Sequence, residues 1–278
     1  MRQFYLRNGN GAEYSLMDVE HWLNSPKGLG LKYKDKYSQV GSDFIRTKKV
    51  TNPKDITGTL MFTGADLYDK YQEFMFFTQI EPLVFVYNPN GTEYIANVSL
   101  EEIKKEEIDY KTSTLQVELS FKRLTRWRRV VLQRNDAVVR RGKVYTFQYP
   151  YQYGKDVANN VTIESDTAFE SPCKITIIGT CENPVWRLYV NGVLKHEGTV
   201  NVTVTSGQRI VIDTTKTPYS IKKYDSSNNL IADLYQLSDF STERFFFLEK
   251  GTNRISIGHD GTNALELAVE AHLEYETV

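Results

Sequence analysis

The chain has 278 residues, a hydrophobic fraction of 40%, a charged fraction of 25% and a net charge of −1. That length is long for one domain and comfortable for two, and the composition is that of a folded chain rather than a disordered one. The balanced charge gives no overall drive towards nucleic acid or an anionic membrane surface.

The 18 Tyr, 14 Phe and 3 Trp often stand beside Val, Ile or Thr, a mixture suited to pleated, half-buried surfaces. Phe4-Tyr5-Leu6 reads as a strand that turns at Asn8-Gly9-Asn10-Gly11 and returns. Residues 23–30, with Pro26, Gly28 and Gly30, read as a turn-rich connection. A lysine-rich run over 32–36, a short strand over 37–40, a turn at Gly41-Ser42-Asp43 and a returning strand over 44–50 describe a long, solvated hairpin arm. Residues 57–63 alternate as a strand should. Asp66 opens the clearest helix, as N-cap or first-turn acid, with Leu67, Tyr71, Phe74 and Phe77 or Thr78 on one face. Glu81-Pro82 stops it. Residues 83–87 and 93–100 flank the turn Asn88-Pro89-Asn90-Gly91 as a hairpin, and Leu115, Val117, Leu119 and Phe121 alternate with polar neighbours.

The composition changes after Phe121. Lys122, Arg123, Arg126, Arg128, Arg129, Arg134, Arg140, Arg141 and Lys143 fall in one stretch whose only acid is Asp136, and Tyr145, Phe147, Tyr149, Tyr151 and Tyr153 follow. A polyanion-facing surface is one reading of this stretch. A protein contact, with Arg paired to acids and Trp127 packed or stacked, is the favoured one. The domain boundary belongs near 130–143, giving domains 1–135 and 136–278. The second half is a series of short strands: 161–163, 174–178, 186–190, 200–204, 209–213, 220–224, 230–234, 245–248, 254–257 and 265–275. Asn191-Gly192 supplies a hairpin turn, and Lys250-Gly251-Thr252-Asn253 another. Many short strands at regular spacing indicate a sandwich or jelly roll.

Chemistry is sparse. GxxxxGK[ST], HExxH and GxSxG are missing, and Gly28-Leu29-Gly30 runs into Tyr33 where a dinucleotide fingerprint needs glycine. His21, His196, His259 and His272 are scattered, and Glu101, Glu102, Glu106 and Glu107 surround Lys104-Lys105 as a self-neutralising surface. No catalytic, metal or cofactor site is expected, and the chain is read as a non-enzyme. Cys173 and Cys181 are too few for a disulfide framework; buried thiols in a reducing cytoplasm are favoured over one bridge. No signal peptide is visible in the first ten residues, and no apolar run approaches the roughly 20 residues of a membrane-spanning helix, so synthesis in the cytoplasm and no membrane partner are expected.

Several segments together resemble a known family. They are Phe4 with Asn8-Gly9-Asn10-Gly11-Ala12-Glu13-Tyr14-Ser15-Leu16, Leu23-Asn24-Ser25-Pro26-Lys27-Gly28-Leu29-Gly30, Leu188-Tyr189-Val190-Asn191-Gly192, Asp233-Leu234-Tyr235, and Phe247-Leu248-Glu249-Lys250-Gly251-Thr252-Asn253-Arg254-Ile255. In order and spacing they resemble the distal tail proteins (Dit) of long-tailed phages infecting Gram-positive bacteria, over nearly the whole length.

The resemblance implies a mainly β fold. A β-barrel or sandwich N-terminal domain with one α-helix would be followed by a galectin-like C-terminal β-sandwich projecting outward. It implies a structural virion protein that forms a homo-hexameric ring joining the tail tube to the tail-tip or receptor-binding apparatus. Its partners would be the tail tube protein, a tail-associated fibre or hub protein, and possible tape-measure and receptor-binding proteins. DNA would only pass through the lumen. A carbohydrate-binding adhesion module is the alternative, with Trp186 as the candidate platform, although that residue reads first as core. For the assembly interface the expected residues are Lys32, Tyr33, Tyr37 and Phe44 on the arm, and Arg126, Trp127, Arg128 and Arg129 in the basic stretch.

Overall fold

Buried and exposed side chains alternate along most strands of the structure, a computed structural model that describes residues 2–48, 51–53, 55–135, 159–261 and 263–278. The chain forms two compact units, residues 1–129 with 274–278, and residues 130–273.

The first unit contains β1 (Gln3–Arg7), β2 (Glu13–Ser15), β3 (His21–Lys27), β4 (Leu31–Tyr33), β5 (Lys36–Val40), β6 (Asp43–Lys48), β7 (Thr51–Pro53), β8 (Ile56–Thr63), α1 (Leu67–Thr78), β9 (Leu83–Asn88), β10 (Tyr94–Lys105), β11 (Thr114–Arg123) and the start of β12 (Trp127–Asn135). Seven strands make an antiparallel sheet in the order β2-β1-β9-β10-β11-β8-β3. Among the described residues no ladder closes it; an isolated bridge joins Met17, just after β2, to Trp22 in β3. Phe4, Leu6, Leu60, Phe62, Phe85, Leu115, Val117, Leu119, Phe121 and Trp127 point inward and are buried. Helix α1 covers this core with Leu67, Phe74 and Thr78, and the Tyr14 ring lies 5.3 Å from that of Phe74. Burying an aromatic or large aliphatic side chain contributes about 1.5–3 kcal/mol, so these inward rows carry most of the unit's stability.

Two expectations for this unit are corrected. Residues 21–27 are strand, not a turn-rich connection. A bulge between Asn24 and Lys27, with Ser25 at φ 48°, absorbs Pro26 at a sheet end where its missing N–H breaks no ladder. Asp66 occupies the N-cap position, but with φ 55° and ψ 42° it is left-handed and makes no side-chain cap bond. A capping carboxylate needs extended backbone to reach the first-turn amides.

The second unit holds the rest of β12, then β13 (Asn159–Ser165), β14 (Cys173–Ile178), β15 (Cys181–Glu182), β16 (Val185–Val190), β17 (Val193–Thr199), β18 (Thr203–Val204), β19 (Arg209–Asp213), β20 (Ser220–Tyr224), β21 (Leu230–Asp233), β22 (Gly251–Gly258) and most of β23 (Glu266–Tyr275). One sheet runs β13-β22-β16-β17, the other β12-β23-β14-β19-β20-β21. Each buries one face. Val161, Ile163, Trp186, Leu188, Ile255 and Ile257 come from the first, and Ile175, Ile177, Ile210, Ile212, Leu267 and Val269 from the second. This is a β-sandwich. Asn191 and Gly192 have φ of 50° and 84°, as a two-residue hairpin turn between β16 and β17 requires. Residues 245–248 form no strand; Leu248 makes an isolated bridge with Ser171. Gly251-Thr252-Asn253, expected as turn, is the start of β22.

Candidate assembly surface

The arm lies in the first unit. β4 and β7 pair at its base, Leu31 opposite Pro53, and β5 and β6 continue outward with Val40 opposite Asp43 across the turn at Gly41. Every residue of β5 and β6 is exposed, including Tyr37 (59%), Val40 (58%), Phe44 (71%) and Ile45 (53%). Strand alternation puts Tyr37 and Phe44 on one face with Arg46, and Val40 and Ile45 on the other. The polar groups bond locally: the Tyr37 hydroxyl donates to Asp35, and Arg46 Nη1 lies 3.2 Å from the same carboxylate. A two-stranded hairpin that buries nothing is marginal in water, and exposed apolar side chains in a cluster mark an interaction surface.

The structure divides the residues expected at an interface. Tyr33, Tyr37 and Phe44 are exposed on the arm, and Lys32 is paired through its backbone with Asn52. Residues of the basic stretch pair with acids and rings of their own unit. Arg126 Nη1 meets Glu274 at 3.0 Å, Arg129 lies 5.8 Å over the Tyr275 ring, and burial pulls the Arg128 guanidinium down from its ordinary value while Glu274 opposes that. Trp127 must be corrected outright. It is 0% exposed and its ring stands edge-on to Phe85 at 6.2 Å, so it is core and not a docking residue. Lys122 pairs with Asp55 at 3.0 Å and Arg134 with Glu266 at 3.8 Å. Arg140, Arg141, Lys143 and the tyrosines after them lie outside the described residues.

A second apolar surface on this unit was not anticipated. Helix α1 turns Tyr68 and Phe76 outward, 44% and 64% exposed, and Ile80 just after it is 37% exposed. Beside its start, Gly64, Leu67, Tyr68, Ile108 and Tyr110 line an open hollow of about 460 Å3, with Tyr110 83% exposed. The sequence does carry a signal for it, because α1 has apolar residues on both of its faces where a surface helix keeps one.

In the second unit, Trp186 is buried, and its Nε1 donates to the Arg244 carbonyl at 2.9 Å, which withdraws it as a sugar platform. The four histidines each have a local partner: the Ser15 carbonyl for His21, Glu243 for His196, the Asn263 carbonyl for His259 and Glu270 for His272. Among the described residues no group of three or more His, Cys, Asp or Glu is placed to hold a metal. Cys173 and Cys181 are free and buried, and burial pushes their thiols up to about 12 and about 11.

The family model for the distal tail protein, N-terminal domain, matches residues 3–124. No curated protein matches the chain. A chain of the phage P2 baseplate in its activated conformation with Ca is similar over 100% of both chains, at 16% identity and a TM-score of 0.65. The SPP1 Dit protein, described as a paradigm of hub adsorption apparatus in Gram-positive-infecting phages, is similar over 96% of this chain and 98% of its own, at 7% identity and a TM-score of 0.62. At such identities the two structures establish a common fold, and the match over residues 3–124 supplies the kinship in sequence. Residues 3–124 thus match the N-terminal domain of the distal tail proteins, and the chain as a whole shares the fold of the two phage tail structures.

Proposed function

We propose that the chain is the subunit of a hexameric hub ring that joins a tail tube to the tail-tip or receptor-binding apparatus, with a galectin-like sandwich as its second unit. The observation that carries this is the arm: Tyr37, Val40, Phe44 and Ile45 all stand in solvent on a hairpin with no core of its own. A neighbouring subunit can cover such a surface, and a closed head-to-tail ring covers every copy's equally. The neighbours along the tail would be the tail tube protein on one side and the tail-associated and receptor-binding proteins on the other, with DNA passing through the lumen.

Negative-stain electron microscopy with light scattering tests the ring. Six chains of 32.1 kDa make about 193 kDa, and rings with a central channel are expected at that mass. Strictly monomeric particles up to millimolar concentration would overturn the reading.

A further inference from the structure

We propose that the hollow beside α1, together with the outward face of that helix, is the seat for the β5–β6 hairpin of a second copy of the chain. The proposal rests on the ring reading and adds which surface meets which.

Two apolar surfaces of the first unit stand uncovered, and they differ in form. The hairpin is a narrow ridge with Phe44 and Tyr37 on one face. The other is an open hollow large enough for an aromatic side chain, lined by Leu67, Ile108, Tyr68 and Tyr110. Its wall is held in place: the Tyr68 hydroxyl donates to Glu107 at 3.3 Å and Lys105 Nζ sits 4.5 Å from the Tyr68 ring centre. The charges are opposite. Residues 34–48 carry Lys34, Lys36, Arg46 and Lys48 against Asp35 and Asp43. Around the hollow, Asp66, Asp69, Glu107 and Asp109 outnumber Lys70, Lys105 and Lys111. Hairpin on hairpin would set two positive surfaces face to face, whereas hairpin on hollow joins unlike signs. A contact between two different patches is heterologous, the kind that closes into a ring when the rotation permits.

Site-directed cross-linking tests this on the full chain. Phe44→Cys and Tyr110→Cys are placed on two differently tagged copies, co-expressed and oxidised mildly; the native Cys173 and Cys181 are buried. Phe44→Cys with Leu124→Cys is the control. Leu124 is exposed and lies beyond the far end of β11, about 33 Å from the hollow at about 3.3 Å per residue. The expected result is a covalent mixed dimer with Tyr110→Cys, at least tenfold more abundant than with Leu124→Cys. Tyr110→Ala should raise the concentration for half-assembly at least tenfold without moving the melting temperature, since this side chain is outside the core. Rings that persist while Phe44→Cys links equally to both sites, or to neither, would overturn the seat and leave the ring standing. Monomers alone, with no cross-link, would overturn the ring and this inference with it.

Discussion

Arg123 shows how a single residue can be misplaced by its neighbours. In the sequence it sits in a basic run, yet it continues the inward register of Leu119 and Phe121, and it is only 3% exposed with its guanidinium 5.7 Å from the Trp127 ring. Burial lowers its pKa, the field of Glu276 opposes this, and Nε and Nη1 meet no acceptor among the described residues. Trp127→Ala should cost about 3–5 kcal/mol by urea unfolding, as expected for a large aromatic removed from a packed core. Arg123→Met should leave the protein at least as stable as before, because an apolar chain of similar length replaces a desolvated cation. The alternation was legible; the charge run concealed it. Glu270 adds a pH dependence. Burial by itself would raise its carboxyl, but bonds from Lys174 and His272 hold it below the ordinary carboxylate value. A depressed folded value means that this stabilisation is present above the unfolded value, near 4.3, and is lost as pH falls through the folded one. Thermal unfolding from pH 6 to pH 3 should therefore fall less steeply for Glu270→Gln than for the wild type.

At the scale of elements, the hairpin and residues 245–248 make an instructive pair. The hairpin was readable from its turn residues and its polar strands, because nothing tertiary competes with local preference there. Residues 245–248 alternate just as well, with Phe246 and Leu248 buried, but Phe245 and Phe247 set their rings tilted and edge-on to Tyr219 instead of continuing a ladder. Period two reports which side chains go inward, not whether the backbone is paired. Since β5 and β6 bury nothing within the chain, replacing residues 35–47 by a short Gly-Ser turn should leave the melting temperature within about 2 °C of wild type in calorimetry. The same variant should lose self-association in light scattering. A large fall in melting temperature would show the arm to be part of the fold.

At the scale of the whole molecule, two β-rich units and helix α1 were legible because periodicity and turn chemistry are local signals. The outward apolar face of α1 was overshadowed by its stronger inward stripe. The path of residues 274–278 was hidden for a different reason: β23 reads as one unbroken alternating strand, and nothing in its pattern records that its end belongs with the first unit. There Tyr275 stands edge-on to Tyr94 at 5.5 Å, Glu274 meets Arg126, and the Tyr33 hydroxyl donates to Glu276. This return has a consequence for synthesis. A ribosome must translate all of residues 130–273 before it makes the segment that completes the first unit, an interval of roughly 7–30 s at about 5–20 residues per second. Throughout that time the nascent first unit lacks a strand end and the acid that pairs with Arg126, and chains terminated early never acquire them.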